Sequence, residues 1–275
     1  MLALTGSTGR LGSRAAAALA GQPLRLLVRD PARAPRVEGA QVVAAPYADG
    51  DACRRALAGV TTLLMVSAAE APDRLQQQLA FVAAAAAAGV EHVVYTSFTG
   101  AAPAAVFTLA RDHAATEDAL QASGMRTTVL RNGLYADLLP EFADGEGVLR
   151  GPAGDGRVAA VAVDDVADCL VAVLRAPERH AGRTYELTGP QALTLDEVAA
   201  TCGRVTGRPF RYERETVEQA WASRAHYGAP DWEVEAWVST YLAMAAGEMA
   251  TVSDDVPRLT GRPARTLEQV LREAG

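Results

Sequence analysis

Three glycines spaced three apart, Gly6, Gly9 and Gly12, link the end of the short apolar run at 2–6 to the start of the helix-forming stretch at 11–21. A strand that turns at once into a helix leaves little room for side chains. Gly6 permits the sharp turn, Gly9 lets the backbone come close to a diphosphate, and Gly12 lets the new helix pack on the sheet. Ser7, Thr8, Arg10 and Leu11 complete the loop. Their amides stand at a helix N-terminus, where N–H groups and a partial positive charge suit a phosphate. Such a spacing alone also fits a plain tight turn, so its meaning rests on the rest of the chain.

From Leu24 onward, strands alternate with helices. Strands are predicted at 24–30, 40–46, 61–67, 91–97 and 126–133, with helices at 51–59, 73–89 and 110–124 between them. This order predicts an α/β fold of Rossmann type, a doubly wound parallel sheet covered on both faces. After residue 133 the rhythm breaks into Gly- and Asp-rich pieces, then resumes with a helix at 164–177 and a strand at 183–189. A second helix is predicted at 194–207, where Thr194 and Glu197 have capping-box spacing. We expect a dinucleotide-binding domain over 1–133 that also receives 160–189, and a smaller C-terminal α/β substrate lobe over 134–159 and 190–275.

Composition narrows the partners. A net charge of −7 disfavours a nucleic-acid surface. The longest apolar run, 79–90, is too short and alanine-rich to span a bilayer, and strand-like sequence from Leu2 leaves no room for a signal peptide, so a cytoplasmic protein is expected. Cys53, Cys169 and Cys202 are odd in number and widely spaced, which suggests buried thiols rather than disulfides or a zinc site. The chain has no lysine: all 26 basic residues are arginine. Chemistry that needs a lysine ammonium or a Schiff base is excluded.

In an open parallel sheet ligands lie beyond the carboxyl ends of the strands. Here those ends present Gly6, Arg29, Ser67, Thr96 and Ser97, and Asn132 and Gly133. The second strand's end reads the adenosine ribose: an acid selects NAD, an arginine NADP. The chain offers Arg29 beside Asp30, with Arg10 and Arg33 near, which favours NADP(H). Short-chain dehydrogenases commonly carry a Tyr-x-x-x-Lys pair on a later helix. On the corresponding helix, Leu109 and His113 stand at those positions, and Glu117 comes one turn after His113.

The segments "LTGSTGRLG", "LLVRDP", "VVYTS", "DHAATE", "VLRNGLYADLL", "GPAGDGRVAAV", "TYELTG" and "SDDVPRLTG" resemble, in order, the NmrA-like atypical short-chain dehydrogenases over residues 2 to about 270. The similarity is closest to NADPH-dependent quinone oxidoreductases and triphenylmethane reductases. It implies a Rossmann domain, NADP(H) as cofactor and hydride transfer to a flat conjugated small molecule. It also implies that Gly6, Gly9 and Gly12 meet the pyrophosphate and Arg29 the 2′-phosphate, with Ser67 and Ala68 along the adenosine side. Thr96, Ser97, His113, Asn132 and Gly133 would surround the nicotinamide ribose and ring. Pro46 departs from the pattern, standing where relatives end the third strand in Asp, and Ala68 and Ala69 replace more polar residues.

An electrophilic acceptor needs only hydride, because its proton can come from water. The absent tyrosine–lysine pair is therefore compatible with a quinone, and less so with a simple ketone. His113 is read mainly as a ribose-holding group, with proton donation by His113 or Tyr135 as an alternative. Phe98, Tyr135, Phe142, Trp232 and Trp237 are candidate substrate contacts. Trp237, Tyr241 and Met244 also fall at helical spacing, as a lobe core would. Two other functions fit the same residues: a non-enzymatic NADP(H) sensor, and a specialised-pathway reductase of ketones or enones. Oligomeric state is not legible.

Overall fold

Leu2–Leu4 forms β1, and its neighbours explain why three residues suffice. Leu4 pairs in parallel register with Leu26 on one side and Leu64 on the other, and all three side chains are fully buried. A computed structural model describes residues 1–274. After β1 come α1 (Arg10–Ala18), β2 (Leu24–Val28), β3 (Ala40–Ala44), α2 (Gly50–Ala56), β4 (Thr62–Met65), α3 (Arg74–Ala87), β5 (His92–Phe98), α4 (Thr108–Ala122) and β6 (Arg126–Asn132). Next are β7 (Val148–Gly151), β8 (Arg157–Val158), α5 (Val163–Arg175), β9 (Thr184–Leu187), β10 (Leu193–Thr194), α6 (Leu195–Thr206) and β11 (Arg211–Arg214). The chain ends with α7 (Val217–Arg224), α8 (Asp231–Ala245), α9 (Asp255–Thr260) and α10 (Leu267–Ala274).

The main sheet has seven strands in the order β3-β2-β1-β4-β5-β6-β9. This is the doubly wound Rossmann order, whose switch point lies between β1 and β4. The expected fold is therefore the observed one. The predicted strands at 2–6, 24–30 and 61–67 end two residues earlier than read from sequence, at Leu4, Val28 and Met65. The released residues form the loops at the carboxyl edge of the sheet.

By contacts the chain groups into two compact units, the first comprising Met1–Ser97, Asp112–Arg131 and Val166–Tyr185. Its core gathers Leu57, Leu63, Met65, Phe81, Val93, Tyr95 and Leu120, and Cys53 is buried among them. Alanine-rich α3 needs no function to explain it, because small side chains let a helix lie close on a sheet. The second unit comprises Phe98–Arg111, Asn132–Asp165 and the chain from Glu186 onward. There β11 pairs in parallel with β7, and β10 antiparallel with β8. The core of this unit includes Leu149, Val158, Leu195, Val198, Tyr212 and Met244. The predicted capping box at α6 is present: Glu197 N–H donates to Thr194 Oγ1 (3.2 Å), and Thr194 N–H donates to Glu197 Oε2 (2.8 Å). Asp165, fully buried, anchors the last segment by accepting from Arg262 and Arg265. All three cysteines are buried and free of disulfides. Among the described residues no helix is long and apolar enough to cross a membrane.

Candidate functional site

The glycine loop is shaped by close approach. Gly6 takes φ +66°, and a Cβ there would lie 2.7 Å from Val66 Cβ. A Cβ on Gly12 would lie 2.3 Å from the Gly6 carbonyl oxygen, so the first turn of α1 sits against the loop backbone. Gly9 differs: the nearest atom to an added Cβ is 3.4 Å away. Gly9 is the N-cap of α1, makes no side-chain cap and has no acidic residue in the turn after it. The helix thus presents an uncompensated positive end. Ser7 is fully buried, and its Oγ has no hydrogen-bond partner.

Beside this loop lies a cavity of about 330 Å³. Thr5, Gly6, Thr8 and Gly9 line one end, Arg29 and Tyr47 stand further along, and residues 66–71 with Gln77 form a wall. Of the sequence-predicted cofactor residues, Gly6, Thr8, Gly9, Arg29, Ser67 and Ala68 are brought together here. Ser7, Arg10, Leu11 and Gly12 belong to the loop and helix start without lining the cavity. Asp30 is drawn away: its Oδ1 accepts from Ala32 N–H (2.9 Å), capping the turn at Pro31–Arg33. Arg29 keeps an exposed guanidinium on the cavity. Tyr47 is a site residue that no sequence pattern marks. Its ring stacks on Phe81 at 4.1 Å, and its hydroxyl lies 2.7 Å from Thr5 Oγ1 and 2.8 Å from the Val66 carbonyl. Burial raises the pKa of that phenol, so Tyr47 is a neutral wall.

The residues at the end of β5 are held from behind. Thr96 Oγ1 accepts from Ser67 N–H (3.0 Å), which fixes the β4 exit rather than offering the hydroxyl outward. Ser97 Oγ donates to Glu117 Oε1 (2.5 Å), and Arg131 grips the same carboxylate at 2.6 and 3.0 Å. Glu117 thus serves Ser97 and not the histidine one turn before it. His113 is buried with both ring nitrogens engaged, Nε2 by Arg74 Nη2 and Nδ1 by the Tyr95 hydroxyl, each at 2.9 Å. Burial, then the Arg74 charge, holds its pKa well below the usual imidazole value. His113 is therefore neutral near pH 7 and turns no nitrogen toward a ligand. Proton donation from this ring is not supported.

In the second unit, Asn132 is the sole asparagine of the chain and is buried. Its Nδ2 donates to Tyr135 Oη (3.3 Å), while its Oδ1 has no partner. Burial raises the Tyr135 pKa, which keeps the phenol protonated. Gly133 is required by packing: a Cβ would lie 2.9 Å from the Ala159 carbonyl oxygen. This unit also contains a cavity of about 650 Å³ lined by Phe142, Trp237, Tyr241, Tyr227, Arg150 and Arg224 among others. The Arg224 guanidinium lies over the Tyr241 ring at 5.2 Å and pairs with Glu215 at 3.1 Å. Two expected substrate contacts, Phe142 and Trp237, line this cavity. Trp232 does not, and Phe98 packs on Phe107 at 5.0 Å at the edge of the core. Tyr241 and Met244 are core residues, as their spacing suggested, and Tyr241 also faces the cavity.

The NmrA-like family model matches residues 1–237. The chain belongs to the NmrA-like family. It is 38% identical over 273 residues to the (4-alkanoyl-5-oxo-2,5-dihydrofuran-3-yl)methyl phosphate reductase of Streptomyces griseus, covering 96% of this chain and 94% of that one. With the NAD(P)H azoreductase of Xenophilus azovorans it shares 34% identity over 276 residues, 98% of this chain and 96% of that one. The crystal structure of the Escherichia coli NADPH-dependent quinone oxidoreductase complexed with NADPH superimposes with a TM-score of 0.91 at 32% identity, covering 100% of this chain and 99% of that one.

Proposed function

We propose that this chain is an NADPH-dependent oxidoreductase that reduces a small, flat, conjugated acceptor such as a quinone or an extended aromatic. The observation that carries the reading is the glycine cradle opening onto a cavity where Arg29 is presented and Asp30 is withdrawn. A buried Ser7 hydroxyl without a partner and an uncapped helix end fit a diphosphate, and an exposed guanidinium fits a 2′-phosphate better than a bare ribose. The relatives support the same reading. Their activities cover quinone, azo and unsaturated-ring acceptors, and all of these are conjugated.

Gly6, Ser7, Thr8, Gly9, Leu11 and Gly12 cradle the pyrophosphate, Arg29 with Arg10 selects the 2′-phosphate, and Ser67, Ala68 and Tyr47 flank the adenosine. Bound in this way, the reduced nicotinamide supplies the hydride. A conjugated acceptor spreads the resulting negative charge over its own π-system, so a strong protein acid is not required. That fits a chain with no lysine, a neutral His113 with both nitrogens taken and a Tyr135 phenol of raised pKa. Asn132 keeps an unpartnered acceptor oxygen, suited to an amide or hydroxyl donor on a ligand. Phe142, Trp237, Tyr227 and Tyr241 form an aromatic-lined cavity of a size for two or three fused rings.

Fluorescence titration with NADPH and with NADH tests the cofactor assignment. NADPH binding at least about tenfold tighter is the expected result; equal affinity would remove the argument from Arg29.

A further inference from the structure

We propose that Arg74, Gln78, Tyr95 and His113 are positioning residues that hold the backbone N–H and C=O of Ala68, part of the dinucleotide cavity wall, through a closed ring of hydrogen bonds. The inference rests on the reading of that cavity as the NADPH site.

The ring begins and ends on one residue. Arg74 Nε donates to the Ala68 carbonyl (3.0 Å), and its Nη2 donates to His113 Nε2 (2.9 Å). His113 Nδ1 lies 2.9 Å from Tyr95 Oη, which donates to Gln78 Oε1 (3.3 Å). Gln78 Oε1 also accepts from the Ala68 N–H (3.2 Å), which closes the circuit. Arg74 and Gln78 stand four residues apart at the start of α3, on one face of the helix. Ala68 lies in the stretch between β4 and α3, where no strand partner holds the backbone. The side chains supply what a sheet would otherwise supply.

Donor accounting fixes every proton. A guanidinium only donates, so His113 Nε2 must accept, and the ring is the neutral form with its hydrogen on Nδ1. That hydrogen goes to Tyr95, whose own hydrogen goes to Gln78. The Gln78 amide then donates to Thr116 Oγ1 (3.1 Å), and Thr116 donates to the Asp112 carbonyl (2.7 Å). The charged and titratable groups packed about the His113–Tyr95 pair are Arg74 on α3, Asp112 and Glu117 on α4, and the neutral Tyr47 phenol after β3. Asp112 Oδ2 accepts from Arg74 Nη1 at 3.0 Å and balances its charge. A proton on His113 Nε2 would point directly at the Arg74 N–H.

Arg74 and Gln78 are 3% and 0% exposed, so both are desolvated in full. Apolar side chains would pack such a space at no less stability. What apolar side chains cannot do is fix the direction of the N–H and the C=O of one residue, and so of the two peptide planes that flank it. The ring also gives "DHAATE" a second purpose: Asp112, His113 and Thr116 support the cavity wall, and Glu117 supports Ser97.

The test uses the full chain in two measurements. Long-range proton–nitrogen spectra, with His113 assigned by its loss in His113→Gln, read the tautomer. NADPH titrations read the cavity. In the wild type His113 should carry its proton on Nδ1 and stay neutral through the ordinary imidazole range near 6.5, whereas in Arg74→Met, where burial remains but the guanidinium charge is gone, it should take up its proton at a higher pH than in the wild type. Arg74→Met and Gln78→Leu should each weaken NADPH roughly tenfold or more, with Arg74→Lys in between because an ammonium cannot span three acceptors. Leu57→Ala, a fully buried core variant that makes none of the ring's hydrogen bonds, should lose melting temperature yet bind NADPH as the wild type does. If Arg74→Met binds NADPH like the wild type, or no worse than a Leu57→Ala protein of equal melting temperature that has itself lost affinity, the ring is only structural and the proposal falls. A protonated Nε2 in the wild type overturns it equally. A wild type that binds no NADPH overturns the cofactor reading itself, and the positioning role with it.

Discussion

A methyl group added at Gly9 and the same group added at Gly12 should have opposite consequences. At Gly12 the new Cβ would lie 2.3 Å from the Gly6 carbonyl oxygen and 2.5 Å from its carbon, both backbone atoms of a tight loop. An ordinary contact needs the helix start or the loop to move by roughly an ångström, and overpacking of that kind costs about 1–3 kcal/mol. The gain in helix propensity, about 1 kcal/mol, offsets part of it. Gly12→Ala should therefore lose up to about 2 kcal/mol, or up to roughly 8 °C in Tm for a chain of this size. At Gly9 the new Cβ meets nothing closer than 3.4 Å and the backbone φ is −95°, so stability should change by no more than about 0.5 kcal/mol. The same Cβ would stand where a pyrophosphate approaches the loop, and NADPH affinity should fall at least about tenfold. Thermal melts and NADPH fluorescence titrations on both variants give the comparison. A Gly9→Ala protein with wild-type affinity would refute the placing of the phosphates at this loop.

The same geometry sets three further outcomes. Arg29→Ala removes a charge-assisted contact of about 1.5–3 kcal/mol, so NADPH should bind roughly 10–100-fold more weakly and NADH with little change; a matching loss for both would show that Arg29 does not read the 2′-phosphate. His113 is neutral in the folded chain because burial and Arg74 lower its pKa well below 6.5. Its stabilising share is full above about pH 6.5 and falls by about 1.4 kcal/mol per pH unit below that, as the unfolded ring takes up a proton. Burial also lowers the pKa of His92 and His180, which adds in the same direction. Melts across this range should slope less in His113→Gln, and an unchanged slope would count against the buried neutral ring. Trp237→Ala opens the aromatic cavity and should raise acceptor KM about tenfold while leaving NADPH affinity alone; an unchanged KM across quinones and dyes would move the acceptor elsewhere.

The parts legible in the sequence are those fixed locally. Gly6 and Gly12 are required by a turn and a close approach within seven residues, and Thr194 with Glu197 closes a cap within four. The strand–helix rhythm up to Asn132 fixes the sheet order because parallel crossovers leave few choices. Arg74, Gln78 and Tyr95 were not legible. An arginine and a glutamine in the first turns of an alanine-rich helix look like solvated charge and polarity. Their meaning depends on His113 and Ala68, which only the tertiary fold brings near. Tyr47 was hidden by Pro46, its neighbour, where the family pattern departs. Trp232 and Trp237 are equivalent by composition, and only the packing of α8 decides that Trp237 lines a cavity. The parallel pair of β7 and β11 joins segments some sixty residues apart and leaves no periodic trace in either.

The central claim is that this chain turns NADPH over instead of merely holding it. Steady-state oxidation of NADPH by the purified protein, with a naphthoquinone, an azo dye and a triphenylmethane dye offered in turn, tests this directly. Sustained turnover with at least one of them, faster with NADPH than with NADH, is the predicted result. Tight NADP⁺ binding with no turnover on any acceptor would contradict it and leave a dinucleotide sensor.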